Sequence, residues 1–344
     1  MGGSITEGYG ATDPEKTSWR ALIATYLTRK FPHKEFRFVN AGVGGTDSAF
    51  GAHRLQEHVL NSGAVDLIFV EFAVNDGDDR DRSVKGMEGI VRQFKRQSPQ
   101  SDLCFLYAAA DKNLAEELPF NIAIHEEIAE HYGIPSVNFA AGIRTLIREG
   151  RCRWEDLAPD RIHPNDEGYA LYAGFLKDFL ERQLTVSGRW KEIMQEENHQ
   201  LPVPLRPDNY EYGSMLDIGH AERISGFRVQ ALKSEPIINW RFSTAHLYAE
   251  EPGAELAFTV RGRGAGVLLL CGPDSGIFEF AVNGAPFRKV NLFDEWCLRA
   301  FRPVAALFPD QERSGPMEVV IRNTDMKDER SAGTTLRILK FLCH

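Results

Sequence analysis

Leu67-Ile68-Phe69-Val70-Glu71-Phe72 is a nearly continuous apolar run, and it decides which class of fold the chain adopts. A strand buried on both faces has this pattern, whereas a strand with one solvated face alternates apolar and polar residues. The run leads directly into Ala73-Val74-Asn75-Asp76, which suits a loop at the carboxyl end of the strand. The stretch therefore predicts an internal strand of a parallel sheet, followed by a loop that carries polar side chains.

The segments on either side of this run alternate between helical and strand patterns. Apolar residues at helical spacing predict a helix over 19–27, Asp47-Ser48 offers an N-cap for a second helix, and Asn165 can cap another. Further strands are predicted at 36–39, 103–107 and 135–139. Strands that alternate with helices indicate βαβ crossovers, so we expect an α/β fold in which a parallel sheet is covered by helices on both faces.

The pattern changes after residue 185. Pro202, Pro204 and Pro207 lie too close together for a regular helix. We therefore expect a first domain over 1–185, followed by a linker or domain seam over 186–213.

The last part of the chain, 214–344, contains one strand pattern after another. Candidate strands lie at 256–260, 267–270, 278–282, 317–321 and 336–341. Asn283-Gly284 predicts a two-residue hairpin turn, because both residue types tolerate positive φ. We expect an all-β domain of the jelly-roll or sandwich type.

Composition excludes several classes of partner. The 344 residues are 43% hydrophobic and 26% charged, which is enough for two separate cores. The net charge is −9 and the basic residues are scattered, so no nucleic-acid partner is expected. No apolar run approaches the ~20 residues of a membrane span, so no membrane partner is expected. Nothing in the sequence specifies an oligomeric state.

No metal site or organic cofactor is expected. The five cysteines lack the close spacing of a zinc site or a disulfide framework, and they are predicted to be reduced and mostly buried. An acidic run lacks the glycine and the closing glutamate of a calcium loop and is predicted to be solvated; it comprises Asp76, Asp78, Asp79 and Asp81. The histidines on predicted helices form no repeated ligand motif; they are His53, His58, His125 and His131.

Two distant stretches supply the groups of a nucleophilic catalyst. Ser4 lies in Met1-Gly2-Gly3-Ser4-Ile5-Thr6, and a later loop reads Asp160-Arg161-Ile162-His163-Pro164. A serine hydroxyl needs an imidazole to take its proton, and the imidazole needs a partner on its other nitrogen. Ser4, His163 and Asp160 are therefore candidates for acyl transfer. Two structural alternatives stay open: Ser4 as a helix N-cap and His163 as a loop histidine that binds a carbonyl.

Two glycine- or asparagine-containing loops complete a set of four blocks. Asn40-Ala41-Gly42-Val43-Gly44-Gly45-Thr46 and Ala73-Val74-Asn75-Asp76 each follow a predicted strand. Open α/β sheets bind ligands in the loops beyond the carboxyl ends of their strands. In this order the four blocks resemble the SGNH (GDSL-like) hydrolase family, over roughly residues 1–183. Gly2-Gly3-Ser4-Ile5-Thr6 stands where that family often has Gly-Asp-Ser-Leu.

The resemblance implies a flavodoxin-like, three-layer SGNH fold and a role for each motif residue. Ser4 is the implied nucleophile, His163 the general base and Asp160 its partner. The implied oxyanion hole consists of the main-chain N–H groups of Ser4 and Gly45 and the side-chain amide of Asn75.

The chemistry of these residue types agrees with the implied roles. An amide such as that of Asn75 donates while staying neutral, and a glycine such as Gly45 lets a main-chain N–H approach a ligand closely. As a structural alternative, Asn75-Asp76 can be a capping pair. The chain departs from the family at Gly3, where an acidic residue is usual, and at Ala73, where a glycine is usual.

The resemblance also implies a substrate class. The all-β domain looks like the jelly-roll modules that accompany carbohydrate esterases, and Trp154 and Trp296 are candidate sugar-binding side chains, with core packing as the alternative for both. We expect a serine esterase that removes O-acetyl groups from acetylated sugars or oligosaccharides through an acetyl-enzyme. The alternatives are a short-chain lipase or general esterase and a non-catalytic glycan-binding protein.

The first motif begins at Gly2 and leaves no room for a preceding strand or signal peptide. A serine at a strand-to-helix turn normally has its strand before it, so we expect the natural chain to start before Met1. The missing signal favours a cytoplasmic location.

Overall fold

The computed structural model describes residues 1–186, 201–233, 237–238 and 241–344. They form two compact units, Met1–Glu211 and Tyr212–His344.

The first unit combines a parallel sheet with helices. The helices are α1 (Ser4–Glu7), α2 (Trp19–Lys30), α3 (Ser48–His58), α4 (Arg80–Gln97), α5 (Phe120–Tyr132), α6 (Phe139–Arg148), α7 (Trp154–Leu157) and α8 (Asp166–Val186), with 3₁₀ turns at Leu60–Ser62 and Asp111–Asn113. The strands are β1 (Leu67–Val70), β2 (Asp102–Tyr107) and β3 (Ser136–Asn138), paired in that order. The predicted strands at 67–72, 103–107 and 135–139 are confirmed.

The helix starts follow the capping residues in the sequence. Asp47 accepts a hydrogen bond from the main-chain N–H of Phe50 at 2.9 Å, and Asn165 accepts one from Gly168 at 3.1 Å. These caps satisfy N–H groups that have no partner inside the helix, so they fix where α3 and α8 begin.

Two sets of helices pack against each other in the first unit. Helix α4 contacts α3 and α5, while α8 contacts α2, α6 and α7. The parallel sheet and these two helical sets make up the expected three-layer α/β fold.

The predicted strand over 36–39 is wrong. A strand needs a neighbouring ladder, and among the described residues this segment has none; Gly42, further along, forms one parallel bridge with Gly2. Phe36 and Phe38 are exposed instead, with their rings stacked at 5.6 Å.

The first two residues lie between Gly42 and the end of β1. The Met1 ammonium donates to the carbonyl of Phe69 at 2.7 Å, and the Glu71 N–H donates to the carbonyl of Met1 at 2.9 Å. Gly2 bridges to both Gly42 and Glu71. Ser4 is thereby placed at the carboxyl end of the sheet.

Part of the predicted linker belongs to the first unit. The main-chain N–H groups of Leu205 and Arg206 donate to the buried carboxylate of Glu88 on α4, at 2.6 and 2.8 Å. The Tyr210 N–H donates to the carbonyl of Lys85 at 3.1 Å. Residues 201–211 therefore line α4, whereas 187–200 lie outside the described residues.

The second unit is a sandwich of antiparallel sheets. Its strands are β4 (Ser214–Asp217), β5 (Arg223–Ser225), β6 (Arg228–Ala231), β7 (Ala245–Ala249), β8 (Glu255–Gly262), β9 (Ala265–Cys271), β10 (Gly276–Val282), β11 (Arg288–Val290), β12 (Arg302–Leu307), β13 (Gly315–Lys327) and β14 (Leu336–Cys343), with 3₁₀ turns at Ile218–His220 and Glu295–Leu298. One sheet has the order β11-β10-β13-β8-β5; the other has β12-β9-β14-β7-β6, with β4 also on β14. A shared apolar core includes Phe258, Phe278 and Phe341. The predicted all-β domain is confirmed.

The two-residue turn predicted at Asn283-Gly284 forms, and the Ala285 N–H closes it by donating to the carbonyl of Val282 at 3.0 Å, but strand pairing resumes only further along. Both residues have positive φ, 51° and 73°, yet the connection between β10 and β11 spans 283–287. Pro286 falls in this connection and has no N–H to donate to a ladder, so pairing resumes only at Arg288.

No helix in the described ranges is both long and apolar enough to cross a membrane. Those ranges also contain no cluster of three or more histidine, cysteine or acidic side chains that could hold a metal ion. All five cysteines are free, and Cys104, Cys271 and Cys297 are buried.

Candidate active site

The structure brings Ser4 and His163 together. The Ser4 Oγ lies 2.7 Å from Nε2 of His163, although 159 positions separate them in sequence. Ser4 is the first residue of α1, and Gly3 holds the N-cap position. The N-cap alternative for Ser4 is therefore wrong, and its hydroxyl is paired with the imidazole.

Asp160 binds the other side of the same ring. Its Oδ2 lies 2.6 Å from Nδ1 of His163, while its Oδ1 accepts main-chain N–H groups of Ile162 at 3.0 Å and His163 at 2.7 Å. Partial burial acts to raise the pKa of Asp160, but these hydrogen bonds outweigh it and lower that pKa. The ionised carboxylate holds the proton on Nδ1, which leaves the Nε2 lone pair toward Ser4.

The loop between Asp160 and His163 is fixed from outside. Arg161 has φ of 65°, a left-handed conformation that a non-glycine residue adopts only when its surroundings enforce it. Its guanidinium pairs with Asp111 and Glu155, each at 2.6 Å. The indole N–H of Trp154 donates to the Arg161 carbonyl at 3.2 Å, and Trp154 is only 4% exposed. Trp154 therefore has the contacts of a packing residue, which is the alternative to a role in sugar binding.

The Asn75 amide lies against the turn that carries the serine. A Cβ on Gly3 would overlap Oδ1 of Asn75, so glycine at this position lets the Asn75 side chain lie where it does. The side-chain amide of Asn75 makes no hydrogen bond to any residue that the structure describes. Its NH₂ group is therefore available to a ligand.

The Gly44-Gly45 turn lies on another side of Ser4. The Gly44 N–H donates to Oε2 of Glu7 at 2.8 Å, and a Cβ on Gly44 would lie 3.6 Å from Cβ of Ser4. Gly45 is exposed and has φ of 70°, a conformation that favours glycine. The four sequence blocks thus meet beside the turn that carries Ser4.

Tyr9 belongs to the same neighbourhood, and sequence reasoning missed it. Its ring meets the ring of His163 edge to face, with centroids 4.5 Å apart, and the residue is 54% exposed. The hydroxyl of Tyr169 donates to the Tyr9 carbonyl at 2.7 Å. The sequence signal near Tyr9 was the pair of glycines that flank it. In the structure Gly8 and Gly10 have φ of 104° and 93°.

Trp296 lies in the second unit. It is 39% exposed, and the Arg299 guanidinium lies 5.3 Å from its ring centre. A role for Trp296 in sugar binding stays a prediction.

Asp76 departs from the expected solvated acidic run, whose other members are exposed as predicted; they are Asp78, Asp79 and Asp81. Asp76 is 3% exposed, and its Oδ1 accepts the main-chain N–H of Ser48 at 2.8 Å. The capping alternative therefore holds for Asp76, at the start of α3. Asp79 caps α4 through the N–H of Arg82 at 3.0 Å.

The amino-terminal part of the chain matches an acylhydrolase family, and the whole chain is similar in structure to a two-domain esterase. Residues 1–171 match the model of the GDSL-like Lipase/Acylhydrolase family. A crystal structure of a two-domain esterase (CEX) active on acetylated mannans aligns with a TM-score of 0.84 at 25% identity, over 99% of this chain and 89% of that chain. The same esterase co-crystallised with mannopentaose aligns with a TM-score of 0.82 at 23% identity, over 99% and 88%. No curated protein matches by sequence.

Proposed function

The amino-terminal domain belongs to the GDSL-like lipase/acylhydrolase family and the protein is a carboxylic ester hydrolase, and from that premise we propose that it removes O-acetyl groups from acetylated sugars or oligosaccharides. The contact that carries the proposal is the 2.7 Å pairing of Ser4 Oγ with His163 Nε2, backed by Asp160 at 2.6 Å. The similarity to an esterase active on acetylated mannans supports the substrate class.

In the proposed acylation step, Ser4 Oγ attacks the acetyl carbonyl carbon while Nε2 of His163 takes the hydroxyl proton. The carbonyl π electrons move to oxygen, and the resulting oxyanion accepts hydrogen bonds from the N–H groups of Ser4 and Gly45 and from the Asn75 amide. Donors fixed in advance stabilise this charge without reorganising, and each typically contributes about 3–4 kcal/mol.

Collapse of the tetrahedral intermediate breaks the bond to the sugar oxygen. His163 returns its proton to that oxygen, so the deacetylated sugar leaves and an acetyl group stays on Ser4. A water molecule then gives its proton to His163 and attacks the acetyl carbonyl. In the second collapse the bond between the acetyl carbon and Ser4 Oγ breaks, and His163 returns its proton to Oγ, which restores the Ser4 hydroxyl. The acetic acid that is released ionises to acetate in solution.

Tyr9 gives the site a surface for the leaving sugar. His163 must reach the sugar oxygen to protonate it, so the sugar ring lies next to the imidazole. The exposed ring of Tyr9, 4.5 Å from that imidazole, offers an apolar face of the kind that stacks on sugars.

The test is acetate release from acetylated mannan, xylan and pectin fragments by the wild type and by Ser4→Ala. We expect the wild type to release acetate and Ser4→Ala to lose activity by about four orders of magnitude or more, because the members of such a triad act as a unit. Activity retained in Ser4→Ala would contradict the mechanism.

Acyl-chain preference separates the proposal from the two alternatives. We expect p-nitrophenyl acetate to be hydrolysed faster than the octanoate. Preference for octanoate would indicate a lipase or general esterase, and glycan binding without acetate release would indicate a binding protein.

A further inference from the structure

A buried polar cluster lies behind the loop that carries Asn75. Asp76 follows Asn75 directly, and its carboxylate accepts hydrogen bonds from the N–H and the hydroxyl of Ser48, from the hydroxyl of Ser83 and from Nε2 of His125. The first three distances are 2.8 Å and the last is 2.9 Å. One carboxylate therefore joins the starts of α3 and α4 to the middle of α5.

The carboxylate is charged in spite of its burial. Burial acts to raise the pKa of Asp76, but the hydrogen bonds from His125, Ser48 and Ser83 outweigh it and lower that pKa. A buried carboxylate is tolerated only when it is paired and fully hydrogen-bonded, so the cluster is sensitive to the loss of any member.

The main chain on both sides of Asn75 is also held. The N–H groups of Asn75 and Asp76 both donate to the carbonyl of Phe72 at 2.9 Å. The carbonyl of Asp76 accepts Nζ of Lys112 at 2.8 Å and the side-chain amide of Asn121. These contacts set the backbone from which the Asn75 side chain projects.

The same carboxylate reaches the second oxyanion segment. Ser48 begins α3 immediately after the turn that contains Gly45, and both its N–H and its hydroxyl bind Asp76. Within that turn the Thr46 hydroxyl donates to the carbonyl of Val43 at 2.7 Å. Asp76 therefore connects the Asn75 loop to the end of the Gly45 turn.

We propose that Asp76 is a positioning residue for the oxyanion hole: through its contacts with Ser48 and the Asn75 loop, it holds the Asn75 amide in place relative to the Gly45 N–H. This inference rests on the proposed function, which assigns the oxyanion to those two donors. Asp76 does not touch the substrate. Its effect arises because a displacement of about 1 Å in a catalytic group can cost about 10²-fold in rate.

The test is a double-mutant cycle of Asp76→Asn and Asn75→Ala, followed by hydrolysis of p-nitrophenyl acetate. Asp76→Asn keeps the shape but removes the charge and turns one acceptor oxygen into a donor. We expect kcat to fall about 10- to 100-fold with KM within about 2-fold of wild type, because the donors act on the transition state. In the Asn75→Ala background we expect Asp76→Asn to lower kcat by less than about 3-fold, because the amide that Asp76 positions is then absent.

Losses that multiply fully in the double variant would overturn the proposal, as would an unchanged kcat or a rise in KM alone in Asp76→Asn. The activity of Ser4→Ala serves as the baseline. Because p-nitrophenyl acetate contains no sugar, a failure of the glycan substrates would refute the proposed substrate class and leave this cycle informative.

A second pair of variants keeps the test decisive if Asp76→Asn does not fold. His125→Gln retains an N–H donor that can reach Asp76, whereas His125→Leu removes it. We expect His125→Gln to keep kcat within about 3-fold of wild type and His125→Leu to lose about 10-fold, with KM unchanged in both. Equal kcat values in the two variants would overturn the proposal.

Discussion

The two sides of the candidate site are built on different principles. The base side is local: Asp160 and His163 are three positions apart, they contact each other directly, and the Asp160 side chain is half exposed. The oxyanion side is assembled over long range around the buried Asp76, which collects donors from α3, α4 and α5. A short sequence motif is enough to build the base side, whereas the oxyanion side forms only when distant helices pack together. Changes on the base side should therefore act on chemistry, and changes on the oxyanion side on geometry.

Asp160→Asn should have the largest effect among the single changes considered below. The introduced amide still accepts the N–H groups of Ile162 and His163 through its oxygen, but its NH₂ faces Nδ1, which favours a proton on Nε2, the nitrogen that must accept from Ser4. We expect kcat to fall about 10³- to 10⁴-fold, as expected for an imidazole held in the wrong tautomer. The measurement is steady-state hydrolysis of p-nitrophenyl acetate.

Asp156→Asn is the matched control, because the Asp156 side chain is exposed and its carboxylate approaches the Arg153 guanidinium no closer than 3.9 Å. We expect its kcat to equal that of wild type. A loss smaller than about 10-fold in Asp160→Asn would break the comparison, because the base side would then not depend on its carboxylate.

Asn75→Ala tests the oxyanion side. Loss of the amide removes one donor to the oxyanion, and we expect kcat to fall about 10²- to 10³-fold with little change in KM. Asn75→Asp should be worse than Asn75→Ala, because a carboxylate donates nothing and repels the developing charge. If Asn75→Asp were the more active of the two, the amide would not be acting as a donor.

The sequence predicted the local side well. Asp160 and His163 stand in one loop, and the apolar run at 67–72 together with the polar residues after it placed Asn75 at the carboxyl end of a strand. In each case the signal lay within a few residues. The structure adds the distances that turn these residues into one site.

The rest could not be predicted because it depends on contacts far apart in sequence. Asp76 was expected in a solvated run, and its burial is visible only once Ser48 and His125 are packed against it. Residues 36–39 have the composition of a strand, but no neighbouring strand pairs with them in the described chain. Tyr9 carries no motif, and only the fold shows its ring against His163.

The oxyanion side contains a second buried carboxyl, Glu71, whose pKa shifts in the opposite direction from that of Asp76. Glu71 and Asp76 both follow β1 and both are buried, but burial raises the pKa of Glu71 to about 7 whereas the donors around Asp76 lower its pKa. Thr6 donates to Oε2 of Glu71 at 3.0 Å, and Oε1 has no hydrogen-bond partner among the described residues. The hydrogen bonds and neighbouring charge around Asp76 therefore outweigh its burial, whereas those around Glu71 do not.

This difference predicts a pH dependence of stability. An acid whose pKa is higher in the folded state than its ordinary 4.5 binds its proton more tightly when folded, so its contribution is complete below about pH 4.5 and is lost as the pH rises to about 7. Glu71→Gln cannot ionise, so we expect the free energy of unfolding of wild type to fall by about 2–3 kcal/mol relative to the variant over that range. Urea unfolding at pH 4.5, 6 and 8 measures it, and parallel profiles would contradict the prediction.

Trp154→Phe should have the smallest effect and probes the support of the base side. The change keeps a buried ring but removes the indole N–H that binds the Arg161 carbonyl at 3.2 Å, next to the left-handed turn between Asp160 and His163. The direct contact of Asp160 with His163 remains, so we expect kcat to fall only about 3-fold, in line with the loss of one neutral hydrogen bond. Acetate release from acetylated oligosaccharides measures both constants. We expect an unchanged KM, because the buried ring offers no face to a sugar. A KM raised about 10-fold with unchanged kcat would instead assign Trp154 to the substrate surface and place part of the base-side loop in sugar recognition.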